Sequence, residues 1–324
     1  MRRLASRIML AGFLAVGAGA PVAAQDYPTR PVTFVTPAAA GNSPDVIIRL
    51  AADRLTQLWK QQVVVINRPG AGGLIAAQAA AGLPDDGYSL YLTQASTYTV
   101  LPIHEGSRMP VDLHKAFVAV GMVGEQPIAL GVQKDVKANN VAELIELANK
   151  TPGGLFFAAT NRGGQTHLTG ELFRDRAKAN ITFVHAAGAA ASLNDVIAGR
   201  IPIMFEGLAG LKPGTESGAV RLLAIAAQKR LPNLPDLPTI AETVPGVVST
   251  GWVLMMAPAG VPAAIIEKLN RDLRTVVAQP ELQERFEQIG TYTRDLSPAE
   301  TEAFIRSEEK LWWPIVERVE AASR

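Results

Sequence analysis

The chain has 324 residues, carries 31 Lys and Arg against 30 Asp and Glu, and contains no cysteine. The missing cysteine rules out disulfides, thiol catalysis, thiolate metal sites and an acylated lipoprotein anchor. The near-balanced charge gives no electrostatic footprint for nucleic acid.

At the N-terminus, Arg2, Arg3 and Arg7 flank an apolar run from Ile8 to Ala20, and Val22-Ala23-Ala24 fits a small-residue cleavage site. That layout predicts a secretory signal peptide, residues 1–24, and a periplasmic location. The run is shorter than the ~20 residues of an ordinary membrane span. Cleavage after Ala24 leaves 300 residues and, with three Arg removed, takes the formal net charge from +1 to −2. At ~100–200 residues per domain, that length suggests two domains.

Short β-like runs then alternate with helical stretches. Val32 to Thr36 reads as a strand, Asp45 to Trp59 as a helix, Val63 to Ile66 as a strand, Leu74 to Ala81 as a helix and Tyr88 to Thr93 as a strand. Gln94 to Lys115 is a polar stretch that breaks the rhythm. Phe117 to Val132 is strand-like, with an interruption expected near Gln126-Pro127. A second block follows: helix Val141 to Lys150 behind Asn140, strand Leu155 to Ala158, a helix from Gln165, strand Ile181 to Val184, helix Ala189 to Ala198, and strands Ile201 to Phe205 and Val220 to Ala226. Leu231 to Pro238 is loop-like, and Val253 to Met256 is a strand that could cross back to the first block. The rest reads as helical. Ser297 to Glu300 forms a capping box, and Pro314 predicts a kink or an early break. Such alternation implies βαβ units with mainly parallel sheets.

Three strand-to-helix junctions carry glycine and small polar residues: Pro37 to Asp45, Thr160 to His167, and His185 to Ala189. In the first, Ser43 is positioned as N-cap with Pro44 behind it. Helix N-termini expose unpaired N–H groups and attract carboxylate or phosphate. Ligands of open α/β sheets bind beyond the carboxyl ends of strands. Ordinary capping explains the same residues, so the junctions alone leave the question open. Asn67 to Gly73 lacks the Lys-Ser/Thr of a P-loop and the third glycine of a dinucleotide fingerprint, which leaves close packing as its role. His104, His114, His167 and His185 form no zinc-binding array, and there is no G-x-S-x-G elbow. No metal or cofactor is expected. Asp45 and Glu206 make only a bare pairing of carboxylates.

Six segments resemble the tripartite tricarboxylate transporter substrate-binding proteins, also called Bug receptors or TctC-like proteins. They are Tyr27 to Val32, Asn67 to Gly73, Pro84 to Leu90, Gly170 to Phe173, Lys229 to Thr239 and Ala257 to Pro262. They follow the family's order across essentially the whole chain beyond residue 24.

The resemblance implies an α/β, two-lobe periplasmic-binding-protein fold (type II-like). Each lobe would be a mainly parallel sheet flanked by helices, with the ligand cleft between them. Residues 25–125 and 250–324 would form the first lobe and 126–249 the second, with hinges near Val123 to Ala129 and Thr250 to Leu254. It implies a non-enzyme that hands a small organic carboxylate to the membrane permease subunits of a tripartite tricarboxylate-type transporter, and a monomer. Family ligands include di- and tricarboxylates, acidic amino acids and aromatic carboxylates.

By the same resemblance the ligand-binding residues fall in five places. The first loop gives Ala39, Gly41, Asn42, Ser43 and Asp45, and the end of the third strand gives Thr93, Gln94 and Ser96. The facing loop gives Thr160, Asn161, Arg162, Gly163, Gln165, Thr166 and His167. Gly188 and Ala189 follow the strand at Val184, and Glu206 stands where the family often has Asp. Where the family usually reads Tyr-Lys/Arg-Gly, this chain has Ala186-Ala187-Gly188, which widens and neutralises that side. Arg162 adds a cation opposite, able to hold a carboxylate through two parallel hydrogen bonds. The departures suggest a ligand larger than a short dicarboxylate, an aromatic acid among the candidates. A sensor subunit for a receptor kinase, or an enzyme on the same fold, are the rival readings.

Overall fold

The structure is a computed structural model, and it describes residues 27–159, 163–185 and 189–321. The expected signal peptide, Thr160 to Arg162 and Ala186 to Gly188 lie outside the described residues.

In chain order the elements are β1 (Val32–Thr36), α1 (Ser43–Trp59), β2 (Val63–Asn67), α2 (Leu74–Ala81), β3 (Ser89–Gln94), α3 (Ala95–Thr99), α4 (Leu101–Glu105), α5 (Leu113–Ala116) and β4 (Phe117–Gln133). There follow α6 (Val141–Lys150), β5 (Leu155–Ala159), α7 (Gln165–Ala177), β6 (Ile181–His185), α8 (Ala189–Ile197), β7 (Ile203–Gly207), α9 (Leu208–Glu216) and β8 (Val220–Ile225). The chain closes with β9 (Thr250–Pro258), α10 (Ala263–Val277), α11 (Pro280–Gln288) and α12 (Pro298–Ala321). Every strand read from the sequence forms.

The sheet order is β2-β1-β3-β9-β4-β7-β5-β6, with β8 also on β4. Pairing is parallel among β1, β2 and β3 and among β5, β6 and β7. It is antiparallel around β4 and β9, so the sheet is mixed. The two βαβ halves share β4. Its first part pairs with β9 as far as Pro127, and from Ile128 it pairs with β7. The expected interruption at Gln126-Pro127 is therefore absent. Proline cannot donate to a ladder, but Pro127 falls where β4 exchanges one partner for the next.

Each half has its own core. Phe34, Ile47, Leu55, Leu92, Met255, Leu269 and Phe286 pack in the first. Ile128, Leu130, Phe157, Leu172, Phe173 and Phe205 pack in the second. Burying one such side chain contributes about 1.5–3 kcal/mol. The last helix joins both halves. Ile305 packs with Tyr98 and Trp252, whereas Trp312, Ile315 and Val316 enter the second core, away from the half to which residues 250–324 were expected to belong.

Several local expectations need correction. Helix α12 runs through Pro314 to Ala321 without a break, because the buried side chains on either side hold the turn that proline weakens. The cap of α1 is Asn42, whose Oδ1 accepts the Asp45 N–H at 3.0 Å. Ser43 is instead the first helical residue, and its hydroxyl donates to Gln126 Oε1 at 2.7 Å. The polar stretch 94–115 contains α3 to α5, and α9 forms where the sequence showed no helical signal. Residues 289–297 are not helical: Tyr292 exchanges backbone hydrogen bonds with Glu125, both at 2.8 Å.

Candidate functional site

Between the two halves lies a cavity of about 230 Å³. Pro44 and Ile47 of α1 line it, with Gln94, Ala95 and Ser96 at the β3–α3 junction. Gln126 of β4 and Gly251, Trp252 and Val253 of β9 form its floor, and Gly164, Gln165 and Thr166 at the start of α7 close the other side. No described lining residue is ionisable. Ser96 and Gly164 also border a recess of about 700 Å³, lined by Val100, Leu101, Leu168, Val316 and Val319 together with His104, Glu105 and Glu320.

Of the residues predicted from the sequence, Gln94, Ser96, Gln165 and Thr166 reach the cavity, and Gly163 reaches the recess. The first loop supports the site from behind. Ala39 O accepts the Asn42 N–H at 3.1 Å, and Gly41 turns with φ +78°. Asp45 is buried, and both of its oxygens are taken. Oδ2 accepts from the Gly41 N–H (2.7 Å) and Arg49 Nε (2.9 Å), and Oδ1 from Asn67 Nδ2 (2.7 Å). Burial alone would raise this carboxyl, but the bonds from Arg49, Asn67 and Gly41 outweigh it and hold the pKa below the usual value. Asp45 is thus the anchor of the loop.

Other predicted residues sit away from the cavity. Thr93 is fully buried in the sheet beside Leu254. His167 is buried between Phe157 and Phe183, 4.0 Å from the latter ring, and its Nδ1 accepts the Gly163 N–H at 2.9 Å. It fixes the turn that opens α7. Ala189 begins α8. Glu206 lies beside Gly210, and its Oε1 accepts the Gly207 N–H at 2.8 Å. Among the described residues no three His, Asp or Glu side chains converge in a metal-binding group.

The sequence reading missed Gln126 and Trp252. Each stands on a strand that crosses between the halves, and no motif marks either one. Gln126 is saturated: it accepts from Ser43 and donates to Ile289 O (3.1 Å) and Thr291 Oγ1 (3.0 Å). Trp252 lines the cavity, and its buried ring packs on Phe304 and donates its indole N–H to Glu308 Oε2 at 3.0 Å. Two of the lining residues each carry one fully buried amide atom without a partner, Gln94 Nε2 and Gln165 Oε1. Buried polar atoms are rarely left so, because each costs about 1–3 kcal/mol.

The chain matches the tripartite tricarboxylate transporter family receptor over residues 47–321. It is 33% identical to protein BugT of Bordetella pertussis over 301 residues, 93% of this chain and 92% of that one. Among solved structures it resembles the R. palustris protein Rpa4515 with adipate (32% identity, 91% and 99% of the two chains, TM-score 0.76). It also resembles MatC from Rhodopseudomonas palustris with bound malate (25% identity, 90% and 100% of the two chains, TM-score 0.73). The chain therefore belongs to the tripartite tricarboxylate transporter receptors, a family of periplasmic solute-binding proteins.

Proposed function

We propose that this protein captures a small organic carboxylate, dicarboxylic or aromatic, in the cavity between the two sheet halves and delivers it to the permease of a tripartite tricarboxylate-type transporter, catalysing nothing. The observation that carries the reading is the cavity itself. Both halves contribute to its wall, Gln94 and Ser96 from the first and Gln165 and Thr166 from the second. A ligand that pairs with both favours the closed arrangement through those differential contacts. The lobes would move about the crossing strands β4 and β9. The resemblance to proteins solved with adipate and malate supports a dicarboxylate. The adjoining recess, mostly apolar, leaves room for the body of a longer or aromatic acid whose carboxylate stays in the cavity, away from Glu105 and Glu320. Removal of residues 1–24 would release the protein into the periplasm as a monomer.

Ligand contacts are assigned to Gln94, Ser96, Gln165 and Thr166, with Arg162 as the cation that reads a carboxylate from the facing loop. The test is the melting temperature of unfolded-and-refolded protein against succinate, adipate, citrate, glutamate, benzoate and the phthalate isomers. A ligand at ~100 times its dissociation constant adds ~2.7 kcal/mol to the folded state, a rise of several degrees. No rise with any acid refutes the carboxylate reading. Unchanged affinity in Arg162→Ala refutes the role given to Arg162.

A further inference from the structure

Residues 289–292, just after α11, are rooted in the first half and rest on the second. Tyr292 exchanges backbone hydrogen bonds with Glu125 of β4. The Ile289 carbonyl and the Thr291 hydroxyl accept from Gln126 Nε2, and a Cβ on Gly124 would stand 2.7 Å from the Thr291 methyl group. Two contacts then reach across. Gly290, at φ +67°, faces the start of α9, where a Cβ would come within 3.0 Å of Leu208. The Tyr292 side chain packs against the second-half cluster that includes Leu211, Val220 and Leu231, and its hydroxyl donates to Asn233 Oδ1 at 2.6 Å. The loop that carries Asn233 is pinned to the second half. Leu231 is buried there, and Arg230 donates to both Glu242 oxygens (2.9 and 2.7 Å) and to Pro235 O at 3.1 Å.

We infer that Tyr292 and Asn233 form a latch between the halves, which sets how much of the protein stands closed and so tunes ligand affinity from outside the cavity. Neither residue lines the cavity. The inference rests on the lobe closure in the reading above. The phenol reaches Asn233 in the arrangement in which both halves line one cavity. Turning the second half away at Pro127, where β4 changes partner, carries Asn233 with it, whereas Tyr292 stays with β4 at Glu125. The bond therefore belongs to the closed arrangement. It lies at the solvent-exposed surface, so opening it hands both groups to water and leaves neither buried and unpaired. Its net worth is that of one exposed hydrogen bond, which biases closure without locking it. Measured affinity scales with the fraction of protein that stands in the binding-competent arrangement.

Pulsed electron-spin distances between the halves test this. The chain has no cysteine of its own, so Gln78→Cys on α2 and Asn194→Cys on α8, both exposed, carry the two labels. In refolded, ligand-free protein, Tyr292→Phe lowers the ratio of short to long distances about threefold. Asn233→Ala, at an exposed position, does the same, and the double variant loses no more than either single one. Titration with adipate shows the matching loss of affinity, while the urea midpoints confirm that each variant is folded. Unchanged distances in both single variants, or a shift toward shorter ones, overturn the latch. Losses that add in the double variant overturn the pairing of Tyr292 with Asn233. If no acid of the panel above binds the wild type, the carboxylate reading falls, and the distances in the free protein still decide the latch.

Discussion

Asn67, the last residue of β2, donates its side-chain N–H to Asp45 Oδ1 at 2.7 Å and to Ala38 O at 3.0 Å. One amide thus ties the end of a strand to both ends of the loop that shapes the first half of the cavity.

Replacing Asp45 by Ala strips a partner from the Gly41 N–H and from the Asn67 amide. Gly41 is exposed and Asn67 half-buried, so water replaces part of what is lost; at about 0.5–1.5 kcal/mol net per hydrogen bond, the stability lost is about 1–3 kcal/mol, read from the urea midpoint. Ligand affinity falls with it, because the loop that carries Pro44 loses its anchor. A variant with wild-type stability and affinity argues against the anchoring role.

Acid should erase that anchor. The Asp45 carboxyl lies below its unfolded value, near 3.9. Its contribution is therefore complete above that value and is lost as pH falls through the lower folded pKa. Wild type and Asp45→Asn, compared by chemical denaturation, should differ in stability at pH 6 and converge as the carboxylate is protonated. A gap that persists unchanged at low pH points to packing as the cause.

Glu308 gives the opposite sign. Burial raises its carboxyl, and the indole N–H bonds from Trp252 (3.0 Å) and Trp312 (3.2 Å) only partly offset this. A raised folded pKa means stability that is present at low pH and lost as pH rises through it. Glu308→Gln retains a carbonyl oxygen for both indoles and removes the charge. It should be more stable than wild type at neutral pH and equal to it below the unfolded value near 4.3. Lower stability at neutral pH would mean that the charge is needed there.

Gly170 faces Phe157 so closely that a Cβ would stand 2.2 Å from the ring edge. Gly170→Ala should cost about 1–3 kcal/mol through overpacking, although alanine is the better helix former. A gain in melting temperature would show that the ring can move aside.

Much of the fold is legible locally. Val32 to Thr36 and Leu155 to Ala159 are short apolar runs bounded by turns, and Val141 to Lys150 follows an asparagine that caps it, Oδ1 accepting the Glu143 N–H at 2.9 Å. Such signals depend on neighbours in sequence, so they survive without knowledge of the fold. The short helices α3 to α5 do not carry them. Their apolar residues, Tyr98 and Leu101 among them, are buried by partners far along the chain. Trp313, for example, donates to Tyr98 O at 3.0 Å.

The sequence by itself determined the strand and helix alternation, the absence of thiol chemistry and, through its six segments, the family. It also pointed to the junctions after β3 and β5, where Gln94, Ser96, Gln165 and Thr166 line the cavity. Tertiary structure decided what each side chain does there. Asp45 is turned inward by Asn67 and Arg49, His167 is packed between phenylalanines, and Gln126 and Trp252 reach the cavity from strands that cross between the halves. The physical reason is that a hydrogen bond or a close contact needs two partners at a fixed distance. Ser249 and Gln165 are separated by 84 positions, and only the folded chain brings them together.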